Sequence, residues 1–334
     1  MNASDTVSGE AKASSAVSAD QASRLGRSSA SPRVIGFLIF VGVLTLIFGY
    51  DLWNLCRAAL DSDLNSYIVL IPFVSLYFFY IDRFNLRKEY SSSIGWAILP
   101  LTIGLTTICL LLSGYLRPGS LNDRMSVVTL SYVCLLWAGG FAFLGRRWMA
   151  SAAFPMFFLI FLVPLPDQAV QTMETGLKVA SAEAASLFFG ISGTPAFKTG
   201  PIFQLPGFTI EVAQECSGIR STWVLFITSL VAAQLFLTKP LSRFVLAALV
   251  LPLGILRNGF RIMVIGLLCI HIDPRMIHSP IHRRGGPIFF ALSLIPLLLI
   301  LWLLRRRELA GSKRAEVAEP PPQHPVVSGR HDVS

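Results

Sequence analysis

Charged side chains are scarce in this sequence, and their scarcity argues against a soluble protein. Asp, Glu, Lys and Arg make up 14% of the 334 residues, whereas 53% are hydrophobic. A soluble domain is about 25% charged, and several apolar stretches here reach the roughly 20 residues needed to cross a bilayer. The alternating pattern of a transmembrane barrel is also lacking. The sequence therefore predicts an all-α, polytopic membrane protein.

Cysteines are few, and the five present show neither paired spacing nor a metal-binding motif. We therefore expect neither a metal nor a cofactor. Cys109 and Cys134 lie inside apolar runs, as packing residues do. Cys56 and Cys269 lie near the ends of apolar runs, without activating neighbours. Cys216 differs from these four because its neighbours are polar.

Eight apolar runs predict about eight transmembrane helices. The runs are 34–50, 65–81, 94–115, 125–144, 148–165, 219–237, 244–270 and 287–304. The first lacks a small-residue cleavage site, which favours a retained span over a signal peptide. We expect the bundle, 34–304, to lie between disordered cytoplasmic tails, 1–33 and 305–334, with no soluble catalytic domain in either.

The basic residues indicate an orientation for these spans. The net charge is +9, and Lys and Arg concentrate in both tails and in alternate loops, which the positive-inside rule assigns to the cytoplasm. Both termini are then cytoplasmic, and the protein is expected in the inner (plasma) membrane. The loop between the last two spans, 271–286, is also cationic although it would lie outside, which suggests that it holds an anion or an oxyanion.

The longest segment between spans, 166–215, is predicted to be extracytoplasmic. Residues 167–189 have helical apolar spacing, which predicts an amphipathic helix on the outer surface or over the bundle. A helix packed in a soluble-facing cap fits equally well. Residues 190–212 are punctuated by Gly and Pro and end in an alternating stretch, which predicts a short hairpin that leads into Cys216.

The motif around Cys216 places a thiol, a hydroxyl, a glycine and a guanidinium in one turn. Ser217 or Glu215 can cap a helix that begins near Gly218, and the positive end of a helix dipole lowers a thiol pKa. Arg220 would add positive charge, whereas Glu215 opposes thiolate formation unless it pairs with an arginine. Cys216 is thus a candidate nucleophile. The alternative is a small buried residue at a helix start.

Two arginines four residues apart, Arg257 and Arg261, lie inside the seventh apolar run and on one helical face. Charges inside a span are costly and predict function. Arg261 falls in the outer half and is placed to approach Cys216, with Asn258 orienting it, whereas Arg257 lies deeper and is expected to be structural. A structural ion pair or a snorkelling arginine is the alternative for Arg261.

His282, just before the eighth span, is a candidate acid and base. An imidazole there could deprotonate a thiol or protonate a leaving amine. His271 and His278 compete for this role, and a solvated loop histidine is the alternative for each. Together Cys216, Arg261 and His282 would meet at one membrane face and suit acyl transfer, with Arg261 stabilising the oxyanion.

Three motifs resemble those of the exosortase/archaeosortase family. They are Val212-Ala213-Gln214-Glu215-Cys216-Ser217-Gly218-Ile219-Arg220-Ser221, Asn258-x-x-Arg261 and His282-x-x-x-Gly286-x-x-x-Phe290, and the segment Phe161-Leu162-Val163-Pro164-Leu165-Pro166 is similar too. The resemblance covers roughly 65–290. It implies that Cys216 is the nucleophile, Arg261 the essential arginine and His282 the third member, as in the bacterial enzymes. The family often has His-Gly in the second span, where this chain has Tyr67-Ile68.

The resemblance implies a transpeptidase that processes exported proteins carrying a C-terminal PEP-CTERM-type sorting signal. A thioacyl intermediate would be resolved by an envelope lipid or polysaccharide amine, or by water. The expected partners are such proteins and the bilayer, and not nucleic acid. The alternative is a transporter or an assembly protein for exopolysaccharide, since intramembrane arginines also suit an anion path. Against it, the sequence shows no repeated pair of broken helices.

Overall fold

Helices make up most of the fold, together with one small sheet. The structure, a computed structural model, describes residues 32–62, 64–87, 90–212, 218–273, 275 and 286–318, without the side chains of 286 and 312–318. The α-helices are α1 Pro32–Ile47, α2 Gly49–Asp61, α3 Ile71–Asp82, α4 Ile94–Leu112, α5 Leu121–Gly139, α6 Arg146–Ser151, α7 Ala153–Phe158, α8 Asp167–Ile191, α9 Ile219–Phe236, α10 Pro240–His271 and α11 Gly286–Ala318. The strands are β1 Phe197–Thr199, β2 Ile202–Leu205 and β3 Phe208–Glu211. The predicted helical class is confirmed.

Five helices of the described residues are long and apolar enough to cross a membrane, and up to seven spans result if each of two bent pairs counts as one. One pair is α1 with α2, bent by 69°, and the other is Ala153–Leu162 with α8. A shorter apolar helix covers Ser66–Asp82. The eight predicted runs correspond to these five helices, the first helices of the two bent pairs and the shorter helix.

The predicted fifth span, 148–165, is not one continuous helix. It is divided into α6, α7 and a 3₁₀ turn, Leu159–Leu162. The break at Ala152 comes three residues before Pro155. A proline ring clashes with the carbonyl four residues earlier and has no N–H to donate to it, so the helix restarts at that point.

The described residues divide into two compact units, one up to Pro164 and one from Leu165 onward. In the first, α1, α5, α6 and α7 surround a buried cluster that includes Leu44, Val128, Trp148 and Met156. The Oγ of Ser75 on α3 donates to the carbonyl of Pro155, 2.7 Å away. This unit also buries Tyr67, which is 6% exposed.

In the second unit, α8 packs along α10 and against the sheet. The sheet is antiparallel in the order β1-β2-β3, one strand more than the predicted hairpin. Phe203 and Ile210 face each other across β2 and β3 and pack with Phe189 of α8. Lys198 forms an ion pair with Glu183, so the sheet is fastened to the predicted amphipathic helix by charge as well as by apolar contact.

Helices α9, α10 and α11 share a second core, and a buried carboxylate fixes the turn between α9 and α10. Glu308 of α11 is 8% exposed and accepts hydrogen bonds from N and Oγ1 of Thr238, both at 2.9 Å, and from N of Lys239 at 3.1 Å. Nε and Nη2 of Arg243 donate to the carbonyl of Leu237, the residue after α9. The backbone N–H and C=O groups that helix ends leave unpaired are thus satisfied here by side chains.

Candidate active site

Helix α9 starts at a left-handed glycine. Gly218 occupies the N-cap position with φ +75° and ψ +12°, a conformation that residues with a Cβ rarely adopt. The sequence predicted Ser217 or Glu215 as the cap, but the N-cap position belongs to Gly218, and the other two lie outside the described residues. The glycine of the motif therefore serves the turn that joins the motif to the helix.

Two polar residues of α10 close over this turn. Nη2 of Arg257 donates a hydrogen bond to the carbonyl of Gly218, at 3.3 Å. A Cβ on Gly218 would lie 2.9 Å from Nη2 of Arg257 and 3.1 Å from Cγ and Oδ1 of Asn258. Arg257 is 8% exposed and Asn258 1% exposed. The structure thus gives Arg257, expected to be only structural, a direct contact with the motif that carries Cys216.

Arg261 lies one helical turn beyond Arg257 on the same face of α10. Its side chain is half-buried and its Nε atom is excluded from solvent. The two guanidinium groups are close enough to repel each other electrostatically. The role of Arg261 as the catalytic arginine stays a prediction, as does the role of Asn258 in orienting it.

The structure describes some of the remaining predicted site residues and not others. Arg220 is described and exposed in the first turn of α9. His271 is exposed at the end of α10. Glu215, Cys216, Ser217, His278 and His282 lie outside the described residues. The meeting of Cys216, Arg261 and His282 therefore stays a prediction. No group of metal-ligating side chains occurs in the described part of the chain.

Glycines on α10 bring its neighbours close enough to form this arrangement, and sequence reasoning missed them. A Cβ on Gly254 would lie 2.6 Å from Oγ1 of Thr222 on α9, and one on Gly259 would lie 2.6 Å from Cβ of Ala184 on α8. Small residues allow such backbone approach between helices in a membrane. Gly254 and Gly259 flank Arg257 and Asn258 in the sequence, and that spacing was the available signal.

The fold and this site define a multi-pass α-helical membrane protein with charged residues inside an apolar span. The chain belongs to the transmembrane exosortase (EpsH) family, which it matches over residues 53–299. That match includes all three segments of the predicted site. No match was found among curated proteins or among solved structures.

Proposed function

We propose that this protein is a membrane-embedded cysteine transpeptidase that cleaves C-terminal, PEP-CTERM-like sorting signals from exported proteins. Family membership supports the class of protein. The observation that carries the proposal is the pair of cations, Arg257 and Arg261, one turn apart in α10. Arg257 donates to the carbonyl of Gly218, which comes two residues after Cys216 in the sequence. Charged groups inside a span are retained for function, and Arg257 contacts the N-cap residue of α9.

The proposed reaction begins with the thiol of Cys216. His282 takes the thiol proton, and the thiolate attacks the carbonyl carbon of the scissile peptide bond. Arg261 stabilises the resulting oxyanion. As the C–N bond breaks, His282 gives its proton to the leaving amine. The sorting signal departs, and the exported protein stays attached to Cys216 as a thioester.

An acceptor then resolves the thioester. An amine of an envelope lipid or polysaccharide attacks the thioester carbonyl, and His282 takes the proton of that amine. The C–S bond breaks, which joins the exported protein to the acceptor and returns the sulfur of Cys216, reprotonated by His282, to its starting state. Water in place of the amine would make the enzyme a protease. The proposed setting is the inner membrane, with cytoplasmic termini and an extracytoplasmic site.

The test is co-expression with a reporter that carries a candidate sorting signal from the same genome. We expect Cys216→Ala to abolish processing, and Arg261→Ala and His282→Ala each to slow it by about 100-fold or more. Cys134→Ala, a buried cysteine of the first unit, is the matched control and should process normally. Added hydroxylamine should release the reporter as its hydroxamate, because it attacks thioesters.

Unchanged processing by Cys216→Ala would overturn the mechanism. It would agree instead with a transporter or an assembly protein for exopolysaccharide, which should tolerate that change.

A further inference from the structure

Arg257 has more buried hydrogen-bond donors than the described chain satisfies. Nη2 donates to the carbonyl of Gly218, but Nε and Nη1 are buried without an acceptor among the described residues. The residue as a whole is only 8% exposed. Buried polar groups in proteins are almost always hydrogen-bonded, and a buried unpaired charge is strongly unfavourable. The two nitrogens therefore require an oxygen acceptor at this turn.

The carbonyl of Gly218 does not depend on Arg257 for its own hydrogen bonding. It already accepts from N of Thr222 at 3.0 Å and from Oγ of Ser221 at 3.1 Å. Removing the guanidinium would leave that oxygen satisfied. The contact is thus better explained by positioning, since it links the middle of α10 to the N-cap residue of α9.

The second arginine favours an anionic acceptor. Arg257 and Arg261 are on one face of α10 and repel each other. Within an apolar span such repulsion is weakly screened. An anionic or strongly polar oxygen between the turn and α10 would offset it and would satisfy Nε and Nη1 at once.

We propose that Arg257 is a positioning residue that fixes the Gly218 turn, and that its two remaining buried donors bind a carboxylate or peptide carbonyl oxygen there. This rests on the proposed function, in which the turn follows the nucleophile. The oxygen has two sources. One is the carboxylate of Glu215, three residues before Gly218 in the sequence, and the other is the substrate peptide.

The position of the turn can be measured without any substrate, through the reactivity of Cys216. In a background with Cys56, Cys109, Cys134 and Cys269 replaced by Ser or Ala, the alkylation rate of Cys216 by N-ethylmaleimide is followed against pH. We expect Arg257→Met to change this rate by about tenfold, the effect of losing a charged hydrogen bond. Arg257→Lys, which keeps the positive charge and a donor group, should lie closer to the parent rate.

Arg243→Met is the matched control. Arg243 also donates to the carbonyl of a helix end, that of Leu237, but at the opposite end of α9. We expect it to leave the alkylation rate of Cys216 unchanged, even where it lowers the thermal unfolding midpoint. Equal rates in the parent, Arg257→Met and Arg243→Met would overturn the proposal. Unfolding midpoints, measured for every variant, show that a changed rate comes from folded protein.

Glu215→Gln separates the two sources of the acceptor. If Glu215 is the acceptor, Arg257→Met has little further effect on the rate in a Glu215→Gln background. If the substrate supplies the oxygen, Arg257→Met changes the rate by the same factor with and without Glu215→Gln, and it raises the KM for the reporter. A changed alkylation rate in a protein that never processes a reporter would retain the positioning role and reject the transpeptidase.

Discussion

Gly259 of α10 lies against Ala184 of α8 so closely that no side chain fits between the helices. A Cβ on Gly259 would come within 2.6 Å of Cβ of Ala184, 2.9 Å of N of Ala185 and 3.0 Å of the carbonyl carbon of Ala184. Two of these atoms belong to backbone, which cannot rotate away. The contact fixes the register of α8 along α10, next to Arg257 and Asn258.

Gly259→Ala should therefore push the two helices apart. We expect it to lower the free energy of unfolding by about 1–3 kcal/mol, the usual range for overpacking, in SDS titrations of the purified protein in mixed micelles. Gly176→Ala, on α8 with no atom within 4 Å of the added Cβ, should raise stability by about 0.5–1 kcal/mol. Equal effects of the two changes would contradict the role given to this contact.

Gly218→Ala should be harmful for two separable reasons. A Cβ in the left-handed region costs about 1–2 kcal/mol, and this one would also meet Arg257 and Asn258. We expect greater loss of stability than for Gly193→Ala, where φ is +69° but nothing lies within 4 Å. The same SDS titrations give the difference. If Gly193→Ala proves as damaging as Gly218→Ala, the contact with Arg257 and Asn258 contributes nothing.

Glu308→Ala should loosen the turn between α9 and α10. It removes the acceptor for three donors, N and Oγ1 of Thr238 and N of Lys239. We expect a loss of about 1.5–3 kcal/mol, the range for hydrogen bonds to charged groups, measured as a lower thermal unfolding midpoint. Glu211→Ala is the comparison, because Glu211 makes an exposed ion pair with Lys178 at 3.7 Å worth less than about 1 kcal/mol. An equal shift for both would argue against the capping role.

Ser75→Ala tests the first unit independently of the site. Its Oγ is the only side-chain donor that we assign to the carbonyl of Pro155 in the described structure, and Ser75 is 3% exposed. We expect a loss of about 1–3 kcal/mol, since a hydrogen bond to a buried carbonyl is removed. Thr107→Val, which removes an exposed bond within α4, should change stability by less than about 0.5 kcal/mol. A smaller effect for Ser75→Ala than for Thr107→Val would show that the bond does not hold α3.

The helices were predictable from the sequence because a membrane span must satisfy its own backbone hydrogen bonds, which makes apolar length a strong signal. The interruptions were harder to predict. The break before Pro155 follows from a single proline, but the 69° bend between α1 and α2 has no comparable signal in hydropathy. A bend depends on the side chains that pack beside a helix, whereas hydropathy describes only the preference of each residue for water or for an apolar environment.

The site shows the same limit at the level of single residues. Helical period places Arg257 and Arg261 on one face, so the sequence alone could not tell which of them meets the start of α9. The choice depends on how α10 is rotated and shifted against its neighbours. The contacts of Gly254 with Thr222 and of Gly259 with Ala184 set that register. Such contacts depend on pairs of residues, whereas hydropathy and helix propensity describe each residue separately.

The length of α10 has a consequence for where its charges lie. At 1.5 Å per residue, the 32 residues of α10 extend about 48 Å, well beyond a hydrocarbon layer of about 30 Å. Counted from Pro240, Arg257 comes after about 26 Å and Arg261 after about 32 Å. If α10 enters the hydrocarbon layer near Pro240, both guanidinium groups therefore lie past its midplane, near the opposite boundary.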